Sequence, residues 1–490
     1  MRIFKSAILL TVVNLLLRFA GTTFQVFLSS RIGAAGIGLL QLTMSVGSLA
    51  MVAGMGGIRT ATMYLTAGEL GRKRPHNVTW ILSGCFIYSI LFSGTVSALL
   101  YAFAPAIGAS WIGDARVIPT LRLFAAFLPC SCLCGVMTGY FTAAGRIGTL
   151  AAVEVAEQLT SMGLTLGALV LWGGQNPGRA CLCVVLGSGL GACLTLSCLI
   201  FLRIREKPPK GKRIPVSGHI CRTALPLAVV DNLRTGISTV ENLIVPRRLA
   251  LNRAVENPLA SFGLVNGMVF PILMFPASIL FGLAELLIPE LARCHASGSA
   301  GRISYLVRRS LKVALLYGIL FSGLLYLPAQ WLCLRLYSSP EAGQYLKLYS
   351  LLVPMLYCDA IVDAMIKGLG QQTVSVRYNI LTNTLDLVFL YLLLPKYGML
   401  GYFVSFLITH LLNFVLSLRR LLKITGEQIP LHLPLLALAG GIAAVGITSQ
   451  LKYPGAQIMI FPTILGCLWY LFRIIGKEDA AWIKGLLHKK

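Results

Sequence analysis

The chain has 490 residues, of which 56% are hydrophobic and only 12% charged, and its mean hydropathy is +0.78. That balance excludes a soluble domain of this length and implies a polytopic membrane protein. The formal net charge of +25 is not a nucleic-acid signature. Its Lys and Arg residues sit in short loops between apolar runs rather than along one face.

Apolar runs fall at 6–30, 34–66, 77–104, 117–142, 148–172, 180–202, 219–246, 258–290, 306–333, 345–367, 373–395, 399–418, 431–450 and 455–475. A helix needs about 20 residues to cross a bilayer. The fold class predicted is therefore an all-α polytopic membrane protein of about fourteen transmembrane helices. The first run is too long for a cleavable signal, lacks a small-x-small cleavage site and contains Arg18. An even number of spans puts both termini on one side. With the termini inside, 28 of the 42 Lys and Arg fall in inside segments and 11 in outside ones. The positive-inside rule then predicts cytoplasmic termini.

The three basic residues left over are Arg18, Arg59 and Arg234, each deep inside an apolar run. Arg18 is thirteen residues from both Lys5 and Arg31, Arg59 is thirteen before Arg72, and Arg234 lies between Arg222 and Arg247. Thirteen residues of helix span roughly 20 Å, so each arginine lies near the bilayer centre. Placing it there costs on the order of 2.5–3.5 kcal/mol on insertion scales. Such residues need a shared wet cavity or strong partners, and three guanidinium groups suggest a cavity that handles an anion.

Other motifs read more plainly. Most of the thirteen cysteines lie in apolar runs. Cys130, Cys132 and Cys134 alternate along a helix without a nearby histidine, which fits small buried thiols better than a metal site. Gly187-Ser188-Gly189-Leu190-Gly191 lacks the Lys-Ser/Thr of a phosphate loop and reads as close helix packing. No enzyme signature and no cofactor motif is present, so the chain is expected not to be an enzyme.

The longest polar segment, 203–218, contains Pro208-Pro209-Lys210-Gly211-Lys212-Arg213 and divides six runs from eight. A shift of 225 residues aligns Gly38 with Gly263, Gln41 with Asn266, Gly57 with Gly282, Pro129 with Pro354, Gly145 with Gly370 and Gly173 with Gly398. A shift of 216 aligns Arg18 with Arg234. Six spans separate the partners, so the repeat is parallel, with a pseudo-twofold along the membrane normal. The predicted organisation is a six-helix lobe at 1–202, a basic linker at 203–218, a second six-helix lobe at 219–423, and two extra helices with a cytoplasmic tail at 424–490.

Intramembrane polar groups mark function more often than chance. Glu154, Glu157 and Gln158 share one face of the fifth run, and Asn379, Asn383 and Asp386 form a stripe on the eleventh. Asp231 accompanies Arg234 on the seventh, and Asp359 and Asp363 form an acidic pair on the tenth. Buried ion pairs that only hold the bundle together would leave the same pattern. Gly54-Met55-Gly56-Gly57 before Arg59, and Pro271 with Pro276 in the eighth run, loosen the helical ladder as moving transporters require.

Two six-helix bundles in parallel repeat plus a terminal pair resemble the multidrug/oligosaccharidyl-lipid/polysaccharide exporter superfamily. Within it, Leu17-Arg18-Phe19-Ala20-Gly21, Ser30-Arg31-Ile32-Gly33, Gly36-Ile37-Gly38-Leu39-Leu40-Gln41 and Gly56-Gly57-Ile58-Arg59 resemble the stage V sporulation protein B branch, which is similar to lipid II flippases. The resemblance implies alternating access and an arginine-lined cavity for a lipid-linked diphosphate sugar. Arg18, Arg59 and Arg234, with Gln41 and Asn266, are the positions that fit such a cavity. It also implies Na+ or H+ coupling, for which Asp231, Glu154, Glu157, Asn379, Asn383 and Asp386 are the candidates. The expected partners are a lipid-linked oligosaccharide and membrane lipids, with no nucleic acid, a single chain as the working unit, and a bacterial plasma membrane as the location. Two rivals remain. One is a cation-coupled exporter of organic cations, which would use the carboxylates. The other is a non-transporting scaffold for wall or spore assembly.

Overall fold

A computed structural model describes residues 2–72, 74–173, 176–205, 217–428, 430 and 432–476. Side chains at 2–15, 18, 71, 75, 147, 173 and 217–219 lie outside that description. So do the core of the basic linker, 206–216, and the tail, 477–490.

Among the described residues there is no strand, and the main helical segments number fourteen. A continuous helix runs from Arg2 to Met55 but breaks at Gly33, where φ is +67°, giving α1 (2–32) and the first half of α2 (34–55). The second half of α2 is Ile58–Gly71. There follow α3 (Pro75–Ala106), α4 (Ile118–Ala143), α5 (Ile147–Ala168), α6 (Pro177–Arg205) and α7 (Ser217–Leu249). Next come α8 (258–296), α9 (Ala300–Tyr326) and α10 (Val353–Gly368). The helix Gln372–Thr425 breaks at Gly398, φ +56°, into α11 (372–397) and α12 (399–425). The last two are α13 (His432–Thr448) and α14 (Pro454–Leu471).

Nine of the described helices are long and apolar enough to cross a membrane when each helix with an internal glycine break counts once. A short helix, Pro340–Ser350, joins α10 at a 56° bend, and the two together are long and apolar enough to count as one more. Helix α13 is apolar but short. Helix α7 is long enough but carries Arg222, Asp231, Arg234, Glu241, Arg247 and Arg248. A span with that many charges must keep one face wet.

The chain divides into two compact units, 1–267 with 387–399, and 268–386 with 400–490. In the first, α4 packs against α3 and α6, and α6 against α5. Ile58, Val78, Cys85, Tyr88, Met137, Tyr140 and Phe141 are buried in one core cluster. The glycine-rich stretch of α6 lies in close contacts. A Cβ at Gly187 would meet Thr165 Oγ1 at 2.1 Å, and one at Gly189 would meet the Phe127 ring at 2.2 Å. Small residues here let helix backbones approach, as in other membrane bundles.

In the second unit, α9 packs against α10, α13 and α14, with Phe461 seated over Gly323 and Trp469 Nε1 donating to Ala437 O at 3.2 Å. Around Pro276, where the ladder of α8 loosens, two tyrosines supply donors. Tyr357 donates to Leu273 O at 2.7 Å and Tyr317 to Pro276 O at 2.9 Å. These hydroxyls tie α9 and α10 to the α8 backbone around the proline.

The two helix ends at Gly145 and Gly370 close identically. Gly145 has φ +71° and Gly370 φ +75°. Gly145 N–H bonds Thr142 O at 3.1 Å and Arg146 N–H bonds Phe141 O at 3.0 Å; Gly370 N–H bonds Lys367 O at 3.1 Å and Gln371 N–H bonds Ile366 O at 3.0 Å. This paired pattern needs a left-handed residue after the helix, which glycine adopts without a Cβ penalty.

Candidate functional site

The break in α2 builds the site. Gly56 and Gly57 have φ +51° and +71°. A Cβ at Gly57 would lie 2.4 Å from Ala224 O, so the broken α2 runs directly onto the α7 backbone. Tyr88 donates its hydroxyl to Gly56 O at 3.0 Å, satisfying a carbonyl at the break. On the other side, Gly139 of α4 approaches so closely that a Cβ there would sit 2.5 Å from Arg59 O. Above the break, Thr239 Oγ1 donates to Ser45 O at 3.2 Å and Asn242 Nδ2 to Ser45 Oγ at 3.0 Å, tying α7 to the first half of α2.

Held in this way, α2 and α7 enclose a cleft of about 390 Å³ within the first unit. It is lined by Val52, Met55, Gly57, Arg59, Thr60, Asp231, Arg234, Thr235 and Ser238. Arg59, Asp231 and Arg234 are all exposed. Two residues with guanidinium groups, 175 positions apart in sequence, thus line one cleft. Glu154 is half-buried on α5, and Arg59 is the basic group whose charge bears on it. Glu157, one turn along, has Thr195 of α6 as its hydrogen-bonding neighbour. Arg18 lies in α1, and its side chain is outside the described residues.

Gln41 and Asn266 occupy a different place, where α2 crosses α8. Gln41 is beside Gly267, whose Cβ would lie 3.9 Å from Gln41 Cγ, and neither Gln41 nor Asn266 lines the cleft. Asn266 sits in a π-helical turn, Leu264–Val269, and Gln25 Nε2 donates to the Gly267 carbonyl at 2.8 Å.

The second unit holds a separate polar pocket of about 190 Å³, with Asp359, Asp363, Asn379, His410 and Asn413 on its walls. Asn413 Nδ2 lies 3.2 Å from both Asp359 oxygens. Asp363 accepts from Lys367 at 2.5 Å and from the Ser375 hydroxyl. Asn379 donates to Ser375 O at 2.9 Å. The α11 stripe is therefore divided. Asn379 turns toward this pocket, half-buried Asn383 lies between, and buried Asp386 meets α12, accepting from Ser405 at 2.5 Å and Thr409 at 3.1 Å.

The α12 members of these networks, Ser405, Thr409, His410 and Asn413, were not read as functional from sequence. Their signal was the spacing 405–409–413, a polar stripe on one helix face of an apolar run. Among the described residues no group of three or more His, Cys, Asp or Glu is placed to hold a metal ion.

Comparison with known proteins agrees with this architecture. The MatE family profile matches residues 249–392. Stage V sporulation protein B of Bacillus subtilis is 22% identical over 419 residues, covering 81% of this chain and 79% of that protein. Among solved structures, the lipid II flippase MurJ in an inward closed conformation matches with TM-score 0.73 and 14% identity, over 95% of this chain and 98% of that one. An inward-facing multidrug resistance MATE transporter matches with TM-score 0.67 and 13% identity, over 86% and 100%. The fold is that of the multidrug and lipid II transporters in these structures. In sequence the chain is similar to stage V sporulation protein B over most of its length.

Proposed function

We propose that this protein is an alternating-access flippase for an undecaprenyl-diphosphate-linked cell-wall or polysaccharide precursor. The observation that carries the reading is the shared cleft of Arg59 and Arg234. A diphosphate carries about two negative charges that cannot cross hydrocarbon unpaired. Arginine offers planar, bidentate donors matched to phosphate oxygens. The likeness to stage V sporulation protein B and to a lipid II flippase supports the same substrate class. The lipid tail would stay in the bilayer while the head group passes, and no bond is made or broken, so the protein is a transporter and not an enzyme.

The finer points belong to the same proposal. The protein works as a single chain in a bacterial plasma membrane, with both termini cytoplasmic, and sporulation is the setting that the resemblance implies. Transport is coupled to Na+ or H+ through buried acids of the second unit. Asp386, held by two hydroxyls of α12, is the first candidate.

The test is reconstitution into liposomes with an undecaprenyl-diphosphate-linked sugar and a leaflet-specific readout. Protein-dependent movement of the labelled head group is expected. Liposomes that leave it in its starting leaflet, while accumulating an organic cation, would replace this reading with the multidrug one. The matches to multidrug transporters, and Glu154 beside Arg59, favour that second reading.

A further inference from the structure

The α2–α7 cleft carries more than its two arginines. Asp231, Thr235 and Ser238 fall at i, i+4 and i+7 on α7, so with Arg234 they share one helix face, and Thr60 follows Arg59 on α2. The α7 face from Asp231 to Ser238 is roughly 10 Å long.

Asp231 stands three residues before Arg234. That spacing brings side chains within about 5–6 Å on a helix surface and ordinarily pairs opposite charges. Elsewhere in this chain it does so: Glu69 pairs with Arg72, and Glu290 with Arg293. Among the described residues, the side chains of Asp231 and Arg234 have no ion pair and no hydrogen bond. The cleft hydroxyls show the same pattern. Thr43, Thr95, Thr142 and Thr239 each donate back to the carbonyl four residues earlier, as helix threonines commonly do. Among the described residues, the hydroxyls of Thr60, Thr235 and Ser238 have no such bond.

A diphosphate by itself uses the arginines and is repelled by a carboxylate one turn away. Asp231 therefore suits a different part of the ligand. A carboxylate is an acceptor, and its two oxygens fit a group that presents several donors at once. Neighbouring hydroxyls of a sugar do that. The hydroxyls of Thr60, Thr235 and Ser238, which both donate and accept, complete such a lining.

We propose that Asp231 is the residue by which this cleft recognises the sugar next to the diphosphate. Arg59 and Arg234 take the phosphates, and Asp231 accepts hydrogen bonds from hydroxyl groups of the first sugar ring. The inference rests on the flippase reading above and deepens it, from a site for a diphosphate to a site that requires its sugar.

The test is equilibrium binding to the full-length protein in neutral detergent, by microscale thermophoresis. Three probes are used: undecaprenyl diphosphate, and the same lipid carrying one glucose or one N-acetylglucosamine. The bare lipid has the same two phosphates and one more ionisable oxygen, so charge alone favours it. The wild type should nevertheless bind a glycosylated lipid at least about tenfold more tightly, the scale of a hydrogen bond to a charged group. Asp231→Ala should bring the affinities within about threefold of each other, weakening the glycosylated lipid and strengthening the bare one. Asp231→Glu should keep part of the preference, and Arg234→Gln should weaken all three lipids together. If Asp231→Ala does not fold, Asp231→Asn decides, because it keeps the shape, and its preference should fall by about threefold or more. A wild type that binds bare and glycosylated lipid equally, or a preference that survives replacement of Asp231, would overturn the proposal and leave the flippase reading standing. Binding of none of the three lipids by the wild type would remove the flippase reading, and this inference with it.

Discussion

Gly38 and Gly263, 225 residues apart, meet backbone to backbone where α2 crosses α8: a Cβ on Gly263 would lie 2.6 Å from Gly38 N and 2.1 Å from Ala34 O, and one on Gly38 would lie 2.3 Å from Leu259 O. These are the same two residues that the internal repeat pairs. Each glycine is needed because the backbone of the facing helix occupies the space of a side chain. Gly38→Ala or Gly263→Ala should therefore destabilise the protein by about 1–3 kcal/mol, the usual cost of forcing extra atoms into a packed contact. Gly163→Ala on α5 is the control, since a Cβ there meets nothing within 4 Å. Thermal unfolding in detergent should show lower midpoints for the first two and not for the third. Equal midpoints for all three would mean that the crossing yields more easily than its geometry implies.

The cleft arginines should matter for transport and not for insertion. Arg59→Ala, Arg234→Ala or Arg18→Ala should each slow flipping by about tenfold or more, equivalent to roughly 1.4 kcal/mol of lost stabilisation. Lysine at the same positions should rescue only in part, because it keeps the charge but loses the bidentate donors. Removing a mid-membrane charge should ease insertion. Glu154→Gln should do less harm, because it removes the carboxylate beside Arg59 rather than a phosphate donor. Rates measured at matched expression check the ranking. Full activity with all three arginines replaced would end the anion reading, and essential carboxylates with dispensable arginines would favour a cation exporter.

Asp386 is the sharpest test of coupling. Its Oδ1 accepts from both Ser405 and Thr409, so asparagine can keep the shape while losing the charge. Asp386→Asn should abolish any dependence of transport on a Na+ or H+ gradient while leaving substrate binding within about threefold, under half of the 1.4 kcal/mol that a tenfold change represents. A gradient dependence equal to that of the wild type would reduce the Asp386 network to a helix–helix tie.

Orientation can be read chemically. A membrane-impermeant thiol reagent added outside should label Ser339→Cys above the background of native thiols, and should not label Lys210→Cys. Ser339 caps the short helix Pro340–Ser350, its Oγ accepting from Ala342 N–H at 3.3 Å, so Ser339→Ala is the control for that cap. Labelling in the reverse order would turn the whole topology over.

The sequence alone determined the membrane class, the spans and the internal duplication. Run length against bilayer thickness is a strong constraint, and charge enters an apolar run only at a cost that leaves it conspicuous. That is why Arg59, Arg234 and Asp386 stood out without coordinates. The repeat paired Gly145 with Gly370 in sequence, and the structure gives the reason both are glycine, since each closes a helix with a left-handed residue. What the sequence left open was which polar faces meet. Helical periodicity tells which residues share a face of their own helix, not which neighbour that face looks at. Gln41 has the same local signature as a cleft residue, yet it packs at the α2–α8 crossing. The α12 residues Ser405, Thr409, His410 and Asn413 gained meaning only beside Asp359 and Asp386. Tertiary packing decided these sites, because a break at Gly56-Gly57 and a glycine at 139 set how closely three helices approach, and that approach brings Arg59 and Arg234 into one cleft.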